Sequence, residues 1–162
     1  MLHQLDGDVF EKGYDFIIHQ ANCHATMGAG IAATIKKEFP SVFEADKKFK
    51  IPPGRGRLGS FSFSEVPKRH EPKENFTLFN LYGQDNWCGT SVLTEYDAFE
   101  KALNGILTYI QRTYPTYKDM TIAVPYLIGC DRAGGEWSIV STLLEKASLA
   151  FDIDIYISKY TP

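Results

Sequence analysis

The feature that most constrains this chain is a short apolar run, Phe16-Ile17-Ile18, that stops at the polar His19-Gln20-Ala21-Asn22 and leads to Gly28-Ala29-Gly30. Consecutive apolar residues bounded by polar ones read as a strand buried on both faces, because a strand with one wet face alternates instead. Over residues 28–39 the period changes: Ile31, Ala32, Ile35 and Phe39 recur at about a helical turn, and Pro40 interrupts the pattern before Val42 and Phe43 continue it. A buried strand, a glycine-bearing loop and a helix therefore follow one another. Burying that strand requires a sheet with helices on both faces.

The rest of the chain supplies the partners. Residues 2–5, 58–66, 75–82, 120–127 and 152–158 read as further strands. Phe99, Leu103, Ile106, Leu107 and Ile110 mark one more helix, with Gly105 a weakness of ~1 kcal/mol against alanine. Trp137, Val140, Leu143, Leu144 and Ala147 mark another. The expectation is an α/β fold with a mixed sheet of about six strands and three helices, its antiparallel portion formed by strands 58–66 and 75–82. No repeat, linker or low-complexity segment divides residues 1–162, so one domain is expected.

Between strand 120–127 and the helix near Trp137 lies a second glycine-rich loop, Ile128-Gly129-Cys130-Asp131-Arg132-Ala133-Gly134-Gly135. Glycine lets main chain approach an anion closely, and a helix N-terminus adds unpaired N–H groups and the positive end of its dipole. Open α/β sheets take ligands at the carboxyl ends of their strands, so two such loops can line one crevice fit for a diphosphate. Gly28-x-Gly30-x-x-Ala33 also matches a dinucleotide fingerprint. Against that reading, residues 23–27 intervene after the strand, and Asp46, the nearest acidic candidate for the ribose, falls in a helical stretch.

Composition narrows the chemistry. A formal charge of −3 gives no general attraction to nucleic acid; Arg55, Arg57, Lys68 and Arg69 read either as a locally basic edge or, as charge runs usually do, as a solvated loop. Three cysteines, Cys23, Cys88 and Cys130, with no C-x-x-C spacing suggest reduced thiols, and four histidines without H-E-x-x-H spacing suggest no metal site. No apolar stretch approaches the ~18 residues needed to span a bilayer, so a cytoplasmic protein without membrane association is expected.

The segments Leu5-Asp6-Gly7-Asp8-Val9, Ile18-His19-Gln20-Ala21-Asn22, Met27-Gly28-Ala29-Gly30-Ile31-Ala32 and Pro125-Tyr126-Leu127-Ile128-Gly129-Cys130 resemble macrodomains in order and spacing. The branch most similar holds the terminal ADP-ribose glycohydrolases and the yeast-type ADP-ribose-1''-phosphate phosphatase, with short bacterial and phage members. The resemblance implies a three-layer α/β/α fold and an ADP-ribose cleft that needs no cofactor, its ligand either free or carried on an ADP-ribosylated macromolecule. It implies that Asp8, beside Val9, accepts from the adenine amino group and that Asn22 faces the distal ribose, whereas taken alone Asp8 reads as a turn residue and Asn22 as a cap. Met27, Gly28, Ala29, Gly30, Ile31 and Ala32 would hold that ribose and a phosphate, and Ile128, Gly129, Cys130, Asp131, Arg132, Ala133, Gly134 and Gly135 the diphosphate. Tyr82, in the strand end Leu81-Tyr82-Gly83-Gln84, would complete the lining.

For catalysis the resemblance offers Asn22, His19 and Asp131. His19 matches a histidine of both named subfamilies and is either an acid–base group or a buried structural residue. The glycohydrolase branch projects a nucleophilic lysine from near this strand end, yet residues 75–100 hold no lysine, and Ala133 stands where that branch has an aspartate. Asp131 and Arg132 also depart from the glycine and small apolar residue usual there. Arg132 suits a phosphate clamp, and Asp131 either orients water or pairs with Arg132. A hydrolase of an ADP-ribose derivative, a non-catalytic reader and a nucleotide-sequestering protein all stay open.

Overall fold

The computed structural model describes residues 1–87 and 92–161. Six strands form one sheet: β1 (Leu2–Asp6), β2 (Phe16–Asn22), β3 (Phe61–Pro67), β4 (Asn75–Gln84), β5 (Ile122–Pro125) and β6 (Ile155–Lys159), in the order β1-β6-β5-β2-β4-β3. All neighbours are parallel except β3 and β4, which run antiparallel as expected. The carboxyl ends of β1, β6, β5, β2 and β4 thus share one edge.

Four helices cover the two faces: α1 (Gly30–Glu38), α2 (Pro40–Lys47), α3 (Tyr96–Thr113) and α4 (Trp137–Phe151). This is one helix more than the periodicity suggested, because Pro40 starts a new helix instead of bending the first. Proline has no N–H to extend α1, and it pushes Phe39 out of the helical region, to φ −130° and ψ 66°. At the first position of α2 the missing N–H costs nothing. Strand ends shift slightly too: β3 starts at Phe61, after a single 3₁₀ turn over Arg55–Arg57.

Strand parity divides the core. Phe16 and Ile18 of β2 point into the layer shared with α3 and α4, whereas Ile17 joins Ile35, Phe39 and Val42 of α1 and α2. On α3 the buried stripe is Phe99, Ala102, Leu103, Ile106, Leu107 and Ile110, a 3.6-residue repeat. Gly105 sits where a Cβ would lie 3.2 Å from the Phe61 ring, so its weak helix propensity accompanies close helix–sheet contact. Three layers result, helices on both sides of a mixed sheet. Among the described residues no helix is long and apolar enough to cross a membrane.

The basic edge does not form. Arg57 is completely buried and paired with Asp46 at 3.1 Å. Arg55 meets Glu95 and Asp85, Lys68 meets Asp15, and Arg69 meets Glu11 and Glu38. Neighbouring carboxylates use up the charge that the sequence places in one stretch.

Candidate functional site

At the carboxyl edge of the sheet, β2 and β5 both end in glycine-rich loops, residues 23–29 and 126–136, and a cleft of about 640 Å³ opens between them. Asn22, Met27, Gly28, Ala29, Gly30, Ile31 and Ala32 line it from one side, Ile128, Gly129, Asp131, Arg132 and Ala133 from the other. The first turns of α1, which lines the cleft, and of α4, which does not, carry neither a side-chain cap nor an acidic residue. Their leading N–H groups and positive dipole ends are therefore left for other partners.

Local chemistry shapes the first loop. The Asn22 side chain uses both ends: its Nδ2 donates to Thr26 Oγ1 at 2.6 Å, and its Oδ1 accepts from the His24 amide at 2.8 Å. Between these anchors Ala25 and Met27 take positive φ, 57° and 41°. The buried Met27 side chain, packed with Ile17 and Ile35, holds that unfavourable backbone in place.

The second loop turns on its own main chain. Leu127 has φ 63°, the Cys130 amide donates to the Leu127 carbonyl at 2.8 Å, and the Gly135 amide donates to the Gly129 carbonyl at 3.0 Å. This folds Gly134 and Gly135 away from the cleft and half-buries Cys130 against the α3–α4 core, so these three expected residues do not line it. Burial pushes the Cys130 thiol up to about 11 and the Cys23 thiol up to about 12, which removes both as nucleophiles near neutral pH. Cys88 lies outside the described residues.

Three further expectations are corrected, and of the two readings open for His19 the structural one holds. His19 is completely buried on the α2 side of the sheet and donates from Nε2 to Asn80 Oδ1 at 2.6 Å. Desolvation pushes its pKa down to about 4, so the ring is a neutral structural group with no access to the cleft. Tyr82 is likewise buried beneath the floor, where it accepts from Ser62 at 2.7 Å and donates to Asp46 at 2.6 Å. Val9 packs in the α1–α2 core. Asp8 is not among the residues that line the cleft; its Oδ1 accepts from the Phe10 amide at 2.9 Å in the turn after β1. That turn still lies on the same sheet edge: Ser158 donates to the Gly7 carbonyl, and the Tyr126 amide donates to the Ser158 carbonyl.

The cleft also contains residues that sequence reading missed. Gln20 Nε2 donates to Gln84 Oε1 and to Thr94 Oγ1, each at 2.9 Å, and Thr94 donates to the Gly129 carbonyl at 2.6 Å. This polar chain ties β2, β4 and the second loop together under the floor. Thr26, Trp87, Leu93, Pro125, Tyr126 and Leu127 complete the walls. Polar glutamines at the ends of two adjacent buried strands were the available signal.

Only three charged side chains line the cleft among the described residues. Asp46, raised by burial, is held by Arg57 and Tyr82, whereas Asp131 and Arg132 are exposed and not paired with one another. No group of three or more His, Cys, Asp or Glu that could hold a metal ion occurs among the described residues.

No family model matches the chain. It is 31% identical to an uncharacterised 17.5 kDa protein from the tk-vs intergenic region of Enterobacteria phage T4, across 93% of this chain and 92% of that one. It is 26% identical to a DNA ADP-ribosyl transferase–DNA ADP-ribosyl glycohydrolase fusion protein of Thermosipho africanus, covering 96% of this chain but only 41% of the fusion. An ADP-ribose 1''-phosphate phosphatase of Meyerozyma guilliermondii is 28% identical over 69% of this chain and 63% of its own length. Among solved structures, the macrodomain of Mycobacterium tuberculosis DarG superposes with a TM-score of 0.71 at 23% identity, covering 100% of this chain and 98% of that one. Thermosipho africanus DarTG in complex with ADP-ribose gives 0.71 at 22% identity over 97% of this chain and 41% of that one. Kinship across nearly the full length of both chains places this protein in one family with the phage protein, and the superpositions show that its six-stranded, helix-covered sheet has the macrodomain fold.

Proposed function

We propose that residues 1–162 form one macrodomain that binds ADP-ribose in the inter-loop cleft and hydrolyses an ADP-ribose derivative in the cytoplasm. The observation that carries this reading is the pair of glycine-rich loops on one cleft, the first running into α1, whose N-terminus lines the cleft and has no side-chain cap. A diphosphate would accept from those amides, and Asn22 would stand at the ribose end. The names of the relatives support an ADP-ribosyl linkage or a terminal phosphate as the bond broken.

With His19 buried and Asn22 engaged at both ends, Asp131 is the one expected catalytic residue with a free functional group. Its carboxylate would take a proton from the attacking water, with no covalent intermediate. The same facts favour a second reading, a non-catalytic reader of ADP-ribosylated macromolecules or a sequestering protein, because no lysine lines the cleft among the described residues.

Calorimetric titration with ADP-ribose, then chromatography of ADP-ribose-1''-phosphate and of ADP-ribosylated oligonucleotide and peptide after incubation, separates the two. Turnover that falls at least 100-fold in Asp131→Asn, with ADP-ribose affinity retained, supports the hydrolase. Binding without turnover supports the reader, and absence of binding removes both.

A further inference from the structure

Arg132 sits at the tip of the second loop with its side chain laid toward the first. A Cβ on Gly30 would lie 3.7 Å from Arg132 Nε and 3.8 Å from its Cδ, so this arm bridges the cleft at the start of α1. Arg55, Arg57 and Arg69 each meet a carboxylate, yet Arg132 is exposed and has no hydrogen bond, ion pair or ring contact among the described residues. It is also the one cationic side chain among the described residues that line the cleft. Of the two acids there, Asp46 is held by Arg57, which leaves Asp131 as the opposing charge.

A guanidinium beside the positive end of a helix, paired with no acid among the described residues, is electrostatically unsatisfied until an anion arrives. Its planar fork binds two oxygens at once, which suits linked phosphates better than a neutral sugar or base. Without it, Asp131 would give the cleft mouth a net repulsion toward any phosphate.

We propose that Arg132 is the specificity-determining cation of the cleft, reaching from the second loop to the first to clasp a ligand's two linked phosphates. The inference rests on the ADP-ribose reading for the rest of the ligand, but its diphosphate component can be tested separately. Because the Arg132 side chain makes no contact that supports the fold, its replacement leaves the melting temperature unchanged.

The test is calorimetric titration of the full chain, at low and high salt, with ADP-ribose, inorganic diphosphate and adenosine. Wild type, Arg132→Ala, Arg132→Lys and the double variant Asp131→Asn/Arg132→Ala are compared. Arg132→Ala is expected to weaken ADP-ribose binding about 10- to 100-fold, the range for losing a charge-assisted pair, and to flatten its salt dependence. Lysine restores part of the affinity, the double variant recovers part of what Arg132→Ala loses, and adenosine is bound equally by all. If Arg132→Ala binds ADP-ribose within twofold of wild type with the same salt dependence, the clasp is overturned and the ADP-ribose reading stands. If wild type binds diphosphate through Arg132 but not ADP-ribose, the clasp stands and the nucleotide reading falls. Binding of neither overturns both.

Discussion

The two cleft loops reach similar positions by different means. In the first, side chains fasten the turn to its surroundings: Asn22 to Thr26 and the His24 amide, the His24 ring to Asp85 at 2.9 Å, and Met27 into the core. In the second, main-chain bonds and closely approaching glycines set the shape, and the charged tip, Asp131 and Arg132, is left unpaired among the described residues. A loop held by side chains has few of them free for a ligand, so the first acts as a fixed cradle of amides. A loop held by its backbone can vary its tip without refolding, and there stand Asp131 and Arg132, in place of the glycine and small apolar residue that the family resemblance leads one to expect. The chemistry that distinguishes this protein from its relatives should therefore come from the second loop.

The largest effect should follow from attacking the backbone geometry of the second loop. A Cβ on Gly135 would lie 2.5 Å from the Gly129 carbonyl oxygen, which already accepts from the Gly135 amide and from Thr94. Main chain on both sides cannot yield without opening the turn, so Gly135→Ala should weaken ADP-ribose binding by more than about 100-fold and lower the melting temperature. Calorimetry and thermal denaturation check both. Unchanged affinity would show that the second loop is not held as described.

A tenfold smaller effect is expected in the first loop. Asn22→Ala removes two hydrogen bonds and should cost about 1–2 kcal/mol of stability and roughly tenfold in affinity. Asn22→Asp still accepts from the His24 amide and can accept from the Thr26 hydroxyl, so it should restore the melting temperature. If it also restores affinity, Asn22 acts by shaping the loop. If stability returns and affinity does not, its amide touches the ligand.

Much of this was legible in the sequence, for reasons that also mark where legibility ended. Phe16-Ile17-Ile18 and the α3 stripe announce their elements through periodicity, and both glycine loops fall where a buried strand meets a helix. Parity is harder to read: His19 and Gln20 are adjacent on a strand, and only the order of the sheet decides that His19 goes under α2 while Gln20 reaches the cleft. Asp46, Trp87 and Leu93 reach the cleft through tertiary folding, far in sequence from either loop. Arg57 looked solvated because its partner, Asp46, lies 11 residues upstream on a different element.

The smallest effect on the cleft is expected from His19, which the sequence leaves as either an acid–base group or a buried structural residue and which the structure buries. A neutral imidazole with its folded pKa near 4 and an unfolded value near 6.5 binds fewer protons folded than unfolded between those pH values. Its contribution to stability is therefore complete above about pH 6.5, and on the order of 3 kcal/mol is lost as pH falls toward 4. In His19→Gln the Nε2 amide can still donate to Asn80, but nothing there titrates in this range. The variant's melting temperature should accordingly fall less steeply than wild type between pH 6.5 and 4, while ADP-ribose affinity at pH 7.5 stays within twofold. Parallel pH–stability curves would show that the ring titrates normally and reaches water, returning His19 to candidacy for acid–base chemistry and weakening the contrast between a silent first-loop strand and an active second-loop tip.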